Sequence, residues 1–431
     1  MKIKIFKIIA NLNFAIILLF IITFVILIGS IIEQDKPIDF YQQNYPEKDL
    51  ILGFLNWKLI QILGLDHFYR TYWFITLLIV FGLSLLICTF LQQFPIVKFS
   101  RVCNFNKSSF VNLEISFEYS YLGKFTNRLL KAGYIIYQQK TNLYSLKGLI
   151  GRVSPIFVHI SILLILFGSI FSSLCGFNVQ ELVPQSEIFH IQNTIVSGVL
   201  SKFSQQPIRL NDFWINYYEN NKIKQFYSNI SILNENGDEL INETISVNQP
   251  LIYNNLTFYQ TDWTVIGLRV KQKTNYFQLP FILFENLNKK SFLSWLPTQI
   301  KDSFKDLNQN SFSIKTLLID NYKENIFIYN LNGNIETKVN MNEFVNAKNY
   351  KTVELLVSSG FQIKYDPGIF IIYFGFAFLM LSTFLSYISF SQIWVNINKF
   401  KTPNKLLIFA KTNRDPTLLN IEVIKMTKND K

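Results

Sequence analysis

The residues of this chain best suited to bind a metal or act as nucleophiles are three histidines and three cysteines. His159 is the only histidine inside an apolar segment, residues 153–176, which contains no formally charged residue. An ionisable residue in a membrane span costs on the order of a few kcal/mol, less when its imidazole is neutral. His159 is therefore either an axial ligand of a metal or haem, or a neutral histidine hydrogen-bonded to a neighbouring helix. Composition alone favours the second interpretation.

The remaining candidates are weaker. His67 precedes the second apolar run and is typical of a polar boundary residue, whereas His190 has the sequence context of a surface turn. Arg70 and Arg152 flank apolar runs, which favours contact with lipid headgroups over contact with an anion such as a haem propionate.

Cys88, Cys103 and Cys175 form neither a CxxC nor a CxxCH pattern, which excludes a dithiol redox motif and a c-type haem attachment motif. The sequence also contains no Walker loop, GxGxxG, HExxH or GxSxG. No independent catalytic motif is present, so whether the chain is itself an enzyme stays open.

Four uncharged apolar runs, each long enough to cross a bilayer, predict an integral membrane protein with four transmembrane α-helices and a large extramembrane β-rich domain. The predicted order is an N-terminal segment at 1–13, spans at 14–32, 71–91, 153–176 and 367–390, a loop at 33–70 with an interfacial helix at 49–64, a basic loop at 92–152, the β-rich domain at 177–366 and a C-terminal tail at 391–431. The tail is expected to be poorly ordered at its end.

The net charge of +12 is distributed as a topology signal. Residues 1–13 carry three lysines and no acid, residues 92–152 carry nine basic and two acidic side chains, and residues 391–431 carry eight and three. Residues 177–366 carry 17 basic and 18 acidic side chains. The positive-inside rule therefore places both termini and loop 92–152 on one side, called here the positive side, and 33–70 and 177–366 on the far side. This pattern indicates contact with membrane lipids and no nucleic-acid partner.

Local patterns refine this plan. Pro95 is expected to close the second span. Alternating runs at 111–119, 134–139 and 142–147 predict a small strand-and-helix element in the basic loop. Asn236-Gly237 and the Leu-Asn-Gly-Asn segment at 331–334 are hairpin signals within the β-rich domain, which is predicted to be sandwich-like or barrel-like.

The third span has two faces. Small residues recur every seven positions at Ser154, Ser161, Gly168 and Cys175, a stripe that allows a second helix to approach closely. His159 lies about 200° around the helix from Ser161. We therefore expect the stripe to pack within this protein and His159 to face a cavity or another subunit.

Five stretches in order resemble the ResB/CcsB-type proteins of system II c-type cytochrome biogenesis, in the form encoded in algal plastids. Together they cover most of the chain, and the segment at 270–350 matches least clearly. The five stretches are residues 11–34, 64–93, 151–177 with its Pro-x-x-Val-His core, 212–263 and 365–394.

This resemblance implies a subunit of a membrane haem-delivery or cytochrome c synthase complex, with haem b as transported substrate and a CcsA-type haem-handling protein and apocytochromes c as partners. It implies that His159 is a haem axial ligand and that Asp366 is functionally important; His67 is a further candidate. From the residues alone, Asp366 starts the last span and stabilises its N-terminus.

The alternative function is a non-haem-binding scaffold or apocytochrome chaperone for the same assembly. The resemblance also implies the plastid thylakoid membrane with stromal termini. A cyanobacterial thylakoid or bacterial inner membrane is the alternative location.

Overall fold

The computed structural model describes most of the chain. The described residues are 8–47, 55–101, 103, 105, 113–118, 122–140, 142–219, 222–286, 289–297, 314–319, 325–330, 332–345, 350–396 and 405–427. They fall into two compact units, Met1–Ser173 with Pro367–Lys431, and Leu174–Asp366.

Within the described residues, four helices are long and apolar enough to cross a membrane, which confirms the prediction of four spans. They are α1, α4, α7 and α8 in chain order, and α4 continues through a π-helical turn at Thr89–Gln93 into α5. The helices are α1 Leu12–Ile31, α2 Ile38–Asn44, α3 Trp57–Leu63, α4 Tyr72–Cys88, α5 Phe94–Arg101, α6 Leu122–Lys131, α7 Leu149–Cys175, α8 Ile369–Ser386 and α9 Pro416–Thr427. Of the interfacial helix expected at 49–64, residues 57–63 form α3, and residues 49–54 lie outside the described residues.

Pro95 does not end the second span, contrary to the expectation from sequence. In the π-helical turn, the Phe94 N–H donates to the Thr89 carbonyl five residues earlier. The chain then enters α5, whose second residue is Pro95. Proline removes one backbone N–H, and the π-helical turn directly before it changes the local hydrogen-bond pattern, so the helix continues through Pro95.

α7 begins four residues before the predicted boundary and contains Pro155 in its second turn. Proline removes the N–H that would bond the carbonyl of Gly151. The Ser154 hydroxyl donates to that carbonyl at 3.0 Å. The helix therefore continues through Pro155 with its backbone oxygen satisfied.

The small-residue stripe on α7 packs against α8, as predicted. A Cβ atom added to Gly168 would lie 2.8 Å from Ile372 Cγ1. One added to Gly375 would lie 2.7 Å from Ile165 Cγ1. Ser161 in the same stripe is fully buried. The two backbones meet at a separation that only glycine permits at these points.

The strands of the described segments form four sheets. In chain order they are β1 Leu113–Glu118, β2 Ile135–Gln139, β3 Asn142–Lys147, β4 Phe177–Pro184, β5 Ile188–Phe189, β6 Thr194–Ser197, β7 Ile208–Tyr217, β8 Ile223–Leu233, β9 Glu239–Ser246, β10 Leu251–Tyr253, β11 Leu256–Gln272, β12 Asn275–Pro280, β13 Ile282–Asn286, β14 Lys289–Pro297, β15 Ile314–Ile319, β16 Asn325–Tyr329, β17 Ile335–Asn340, β18 Phe344–Val345, β19 Tyr350–Tyr365, β20 Ser391–Asn396 and β21 Lys405–Thr412.

The positive-side sheet has the order β1-β21-β20-β3-β2 and combines the basic loop with the segment after α8. Phe125 and Leu129 of α6 and Val423 of α9 join its buried core. The predicted strand-and-helix element in the loop is confirmed. The predicted C-terminal tail, residues 391–431, contains β20, β21 and α9. Its last residues, 428–431, lie outside the described residues.

The unit Leu174–Asp366 contains sheets of seven, five and four strands, which confirms the β-rich domain. β11 and β19 are its longest strands and pair antiparallel from Leu256↔Tyr365 to Lys271↔Lys351. The hairpin at Gly237, where φ is +88°, joins β8 to β9, and the one at Gly333 joins β16 to β17. Both hairpin predictions are therefore confirmed.

Replacing Gly168 with alanine should destabilise the α7–α8 pair by about 1–3 kcal/mol, because the new methyl group overlaps Ile372. The effect should appear as a lower unfolding temperature of the detergent-purified chain. Gly82→Ala is the matched control in another span, since its Cβ would lie 3.8 Å from its nearest neighbour, Leu166 Cδ1. Equal unfolding temperatures for the two variants would contradict this packing.

Candidate functional site

His159 lies on α7, in the half of the helix nearer the positive side, and is partly exposed. Its Nδ1 atom is 2.8 Å from the Thr89 hydroxyl, at the start of the π-helical turn. The structure thus brings His159 onto the second span of the same chain. Thr89 is 70 residues away in sequence, and no spacing pattern points to it.

The Thr89 hydroxyl also lies 2.7 Å from the Leu85 carbonyl oxygen. Two oxygens this close require a proton between them, and a carbonyl cannot supply it. The single hydroxyl proton is therefore donated to Leu85, so the hydroxyl accepts from Nδ1–H of His159. In a neutral ring, the proton is therefore assigned to Nδ1 and the lone pair to Nε2.

α4 packs against part of the histidine face of α7. Leu163 and Leu166, four and seven residues beyond His159, reach 3.9 Å and 3.8 Å from a Cβ atom added to Gly82. The expectation that this face meets a cavity or another subunit is therefore wrong for the Nδ1 edge of the ring. Helical periodicity identified the face correctly, but it carries no information about which element covers it.

The Nε2 atom has no hydrogen-bond partner within the described residues and is not among their fully buried polar atoms. In the same part of the chain, no group of three or more His, Cys, Asp and Glu side chains could hold a metal ion. A single neutral imidazole would nevertheless suit haem, because the porphyrin would supply most of the iron ligands. The site fits one axial haem ligand and does not fit a metal ion held by protein groups alone.

His67 lies in the 3₁₀ turn Leu65–Arg70 on the far side. Its Nδ1 is 2.9 Å from an oxygen of the neighbouring Asp66. The adjacent Tyr69 carbonyl accepts a hydrogen bond from Ser173 of α7 at 3.1 Å. Ser173 is 14 residues beyond His159, or about 21 Å along the helix. His67 and His159 are therefore too far apart to bind one iron atom.

Gln34 holds the His67 turn against the end of α1. Its Nε2 lies 2.9–3.0 Å from the carbonyl oxygens of Gly29, Ile32 and Leu65, which share its two N–H donors. Its Oε1 accepts from Phe68 N–H at 3.0 Å. One side chain thus satisfies carbonyls at the end of a spanning helix and fixes the turn beside it. Sequence reasoning missed this role, although a glutamine directly after a span is an available signal.

Aromatic hydroxyls add to the same far-side region. Tyr45 donates to the Glu33 carboxylate at 2.8 Å, and this bond lowers the pKa of Glu33. Burial, reinforced by the bond to Glu33, raises the pKa of Tyr45 to about 12. Burial also raises the pKa of Asp35, against the nearby charges of Arg70 and His67. Buried tyrosine side chains and carboxylates therefore lie side by side in this region.

The other predicted residues are placed as follows. Asp366 precedes α8 by three residues; the N-cap residue is Gly368, which makes no side-chain cap bond. The Arg152 guanidinium lies 4.9 Å from the Phe390 ring, and its Nε is buried with no hydrogen-bond partner among the described residues. His190 Nδ1 bonds the Gln205 carbonyl at 2.9 Å, in keeping with a turn residue. The three cysteines are free.

Comparison with known proteins adds a family and full-length relatives. The model of the ResB-like family matches residues 12–323 and 295–423. The chain is similar to the cytochrome c biogenesis protein Ccs1 of Heterosigma akashiwo (strain CCMP452 / OLISTH), at 52% identity covering 99% of both chains. It is 45% identical to Ccs1 of Thalassiosira pseudonana, covering 99% of this chain and 100% of that protein. It is 40% identical to CcsB of Crocosphaera subtropica (strain ATCC 51142 / BH68), covering 98% and 93%.

Replacing Gln34 with glutamate keeps the shape of the side chain but presents a carboxylate to three carbonyl oxygens. Because the three carbonyls then lose the two N–H donors that they share, we expect at least about 2 kcal/mol of destabilisation at neutral pH. Thermal unfolding of the purified chain, followed by tryptophan fluorescence, measures it. Gln43→Glu, at an exposed position of α2, is the matched control and should change stability by only a few tenths of a kcal/mol. A Gln34→Glu variant as stable as the control would disprove the clamp.

Proposed function

Because the chain belongs to the ResB-like family and is a membrane subunit of system II c-type cytochrome biogenesis, we propose that His159 is an axial ligand of the haem this subunit handles. The observation that carries the proposal is the hydrogen bond from Nδ1 to Thr89, which leaves the Nε2 lone pair available. A neutral imidazole with one ring nitrogen engaged in a hydrogen bond is the form that ligates iron.

The second axial ligand would come from a partner. Within the described residues, neither a second histidine nor a cysteine cluster lies with His159 to complete the coordination. A CcsA-type haem-handling protein would supply the missing ligand and cover the Nε2 edge of His159. The haem, proposed to be haem b, would thus be held between the two subunits.

Haem attachment itself needs positioning more than acid–base chemistry from this chain. The thioether bonds form between the haem vinyl groups and the cysteine thiols of an apocytochrome c. The unit Leu174–Asp366 would hold the apocytochrome on the far side, while His159 retains the haem until transfer. Both roles consist of binding and positioning, in keeping with a sequence that contains no catalytic motif.

The proposed location is the plastid thylakoid membrane, with both termini in the stroma. The alternation of positive charge along the chain supports this orientation. Relatives named cytochrome c biogenesis protein occur in algae and in cyanobacteria, both of which contain thylakoids. A cyanobacterial thylakoid or bacterial inner membrane would preserve the same topology.

His159→Ala should remove most of the haem Soret band from the complex purified with its CcsA-type partner. Added imidazole should restore part of the band by occupying the vacated position. His190→Ala is the matched control, because its ring bonds a backbone carbonyl outside the spans. Visible spectra of equal amounts of purified complex measure the effect.

The alternative is a scaffold or apocytochrome chaperone that binds no haem, favoured by the size of the β-rich unit, Leu174–Asp366. It makes the opposite forecast for the same variants. If His159→Ala keeps both the Soret band and holocytochrome assembly while removal of 177–366 abolishes assembly, the scaffold is correct.

A further inference from the structure

We infer that Thr89 is the positioning residue for His159: it accepts the Nδ1–H hydrogen bond and so holds the ring in the tautomer that presents Nε2 to iron. This inference rests on the proposed function of His159 as a haem ligand. It gives the second span a functional role in addition to its packing against other helices.

The hydrogen bonds around Thr89 have a fixed direction. The hydroxyl donates its one proton to the Leu85 carbonyl, so only its lone pairs remain to accept a hydrogen bond from His159. An imidazole that donates from one nitrogen becomes more basic at the other and keeps one ring orientation. The threonine thus controls both the direction and the strength of the bond that Nε2 can make.

Thr89 is itself firmly placed. It is 6% exposed, and its backbone opens the π-helical turn, a feature that occurs frequently at functional sites. On either side along the helix, Ser84 donates to the Ile9 carbonyl at 2.7 Å and Gln92 donates to the Ala10 carbonyl at 2.8 Å. These bonds fix α4 on the segment that leads into α1.

A matched pair of substitutions separates positioning from packing. Thr89→Val keeps the size and branching of the side chain but removes the hydroxyl. Thr89→Ser keeps the hydroxyl and loses a methyl group. If Thr89 acts only by filling space, valine is the milder change; if it acts through the hydrogen bond, serine is.

The tautomer can be measured on the full-length chain without haem. Isotope-edited infrared spectra of ring-labelled histidine distinguish the two neutral tautomers, and the chain has only three histidines. Subtracting the spectrum of His159→Ala isolates the His159 signal. We expect the Nδ1–H form in the parent chain and in Thr89→Ser, and a shift toward the Nε2–H form in Thr89→Val.

The second measurement uses the complex with its CcsA-type partner. Thr89→Val should weaken haem binding by about 10–100-fold and raise the haem midpoint potential, with Thr89→Ser close to the parent. Thr76→Val is the control, because Thr76 in α4 makes the same type of bond, to the Tyr72 carbonyl at 2.7 Å, with no histidine attached.

The outcomes are separable. An unchanged tautomer, affinity and potential in Thr89→Val overturn the positioning inference, as does a Thr76→Val variant with an equal loss. Haem binding that survives His159→Ala overturns the ligand proposal instead, whatever the infrared result. If the Thr89→Val protein fails to accumulate, the infrared spectrum of Thr89→Ser decides the question. Loss of the Nδ1–H tautomer in Thr89→Ser would overturn the inference.

Discussion

Polar groups within the hydrocarbon of a membrane must find their partners inside the protein, since water is not available to replace them. This constraint explains the local structure of the spans. Ser154 supplies the donor that Pro155 removes from α7. The π-helical turn accommodates Pro95 at the end of the second span. Thr89 meets the one ring nitrogen of His159 that faces α4. Each irregularity in the spans is matched by a nearby side chain or a shifted backbone bond.

The positive-side sheet connects the third span to the fourth. β3 ends at Lys147 just before α7 begins, β20 starts at Ser391 just after α8 ends, and these two residues are paired in the sheet. The pairing brings the start of α7 beside the end of α8. Gly148 and Gly151 there lie directly against the Ser389 and Ile388 carbonyls. The sheet therefore sets the register of α7 against α8. This register fixes the position of His159 along α7 relative to α8.

The features that follow from local chemistry could be predicted from the sequence. Span length, the two Asn-Gly hairpins and the seven-residue stripe on α7 each depend on residues close together in the chain. The pairing of β20 with β3 and the contact of Thr89 with His159 join residues far apart, and a single sequence contains no record of such distances. The prediction that Pro95 closes the second span was wrong because proline ends a helix that keeps α-helical hydrogen bonding. The π-helical turn replaces that bonding here.

The same geometry accounts for a histidine in a span of a chain without catalytic motifs. α7 is held on one face by glycine contacts to α8 and on the other by leucine contacts to α4, so the imidazole has little freedom. The hydrogen bond to Thr89 compensates one nitrogen for its removal from water and leaves the other unsatisfied. A ring nitrogen without a partner in the hydrocarbon region is unfavourable, so Nε2 would gain free energy from a bond to a metal. This is the arrangement that the proposed role of His159 as a haem ligand requires.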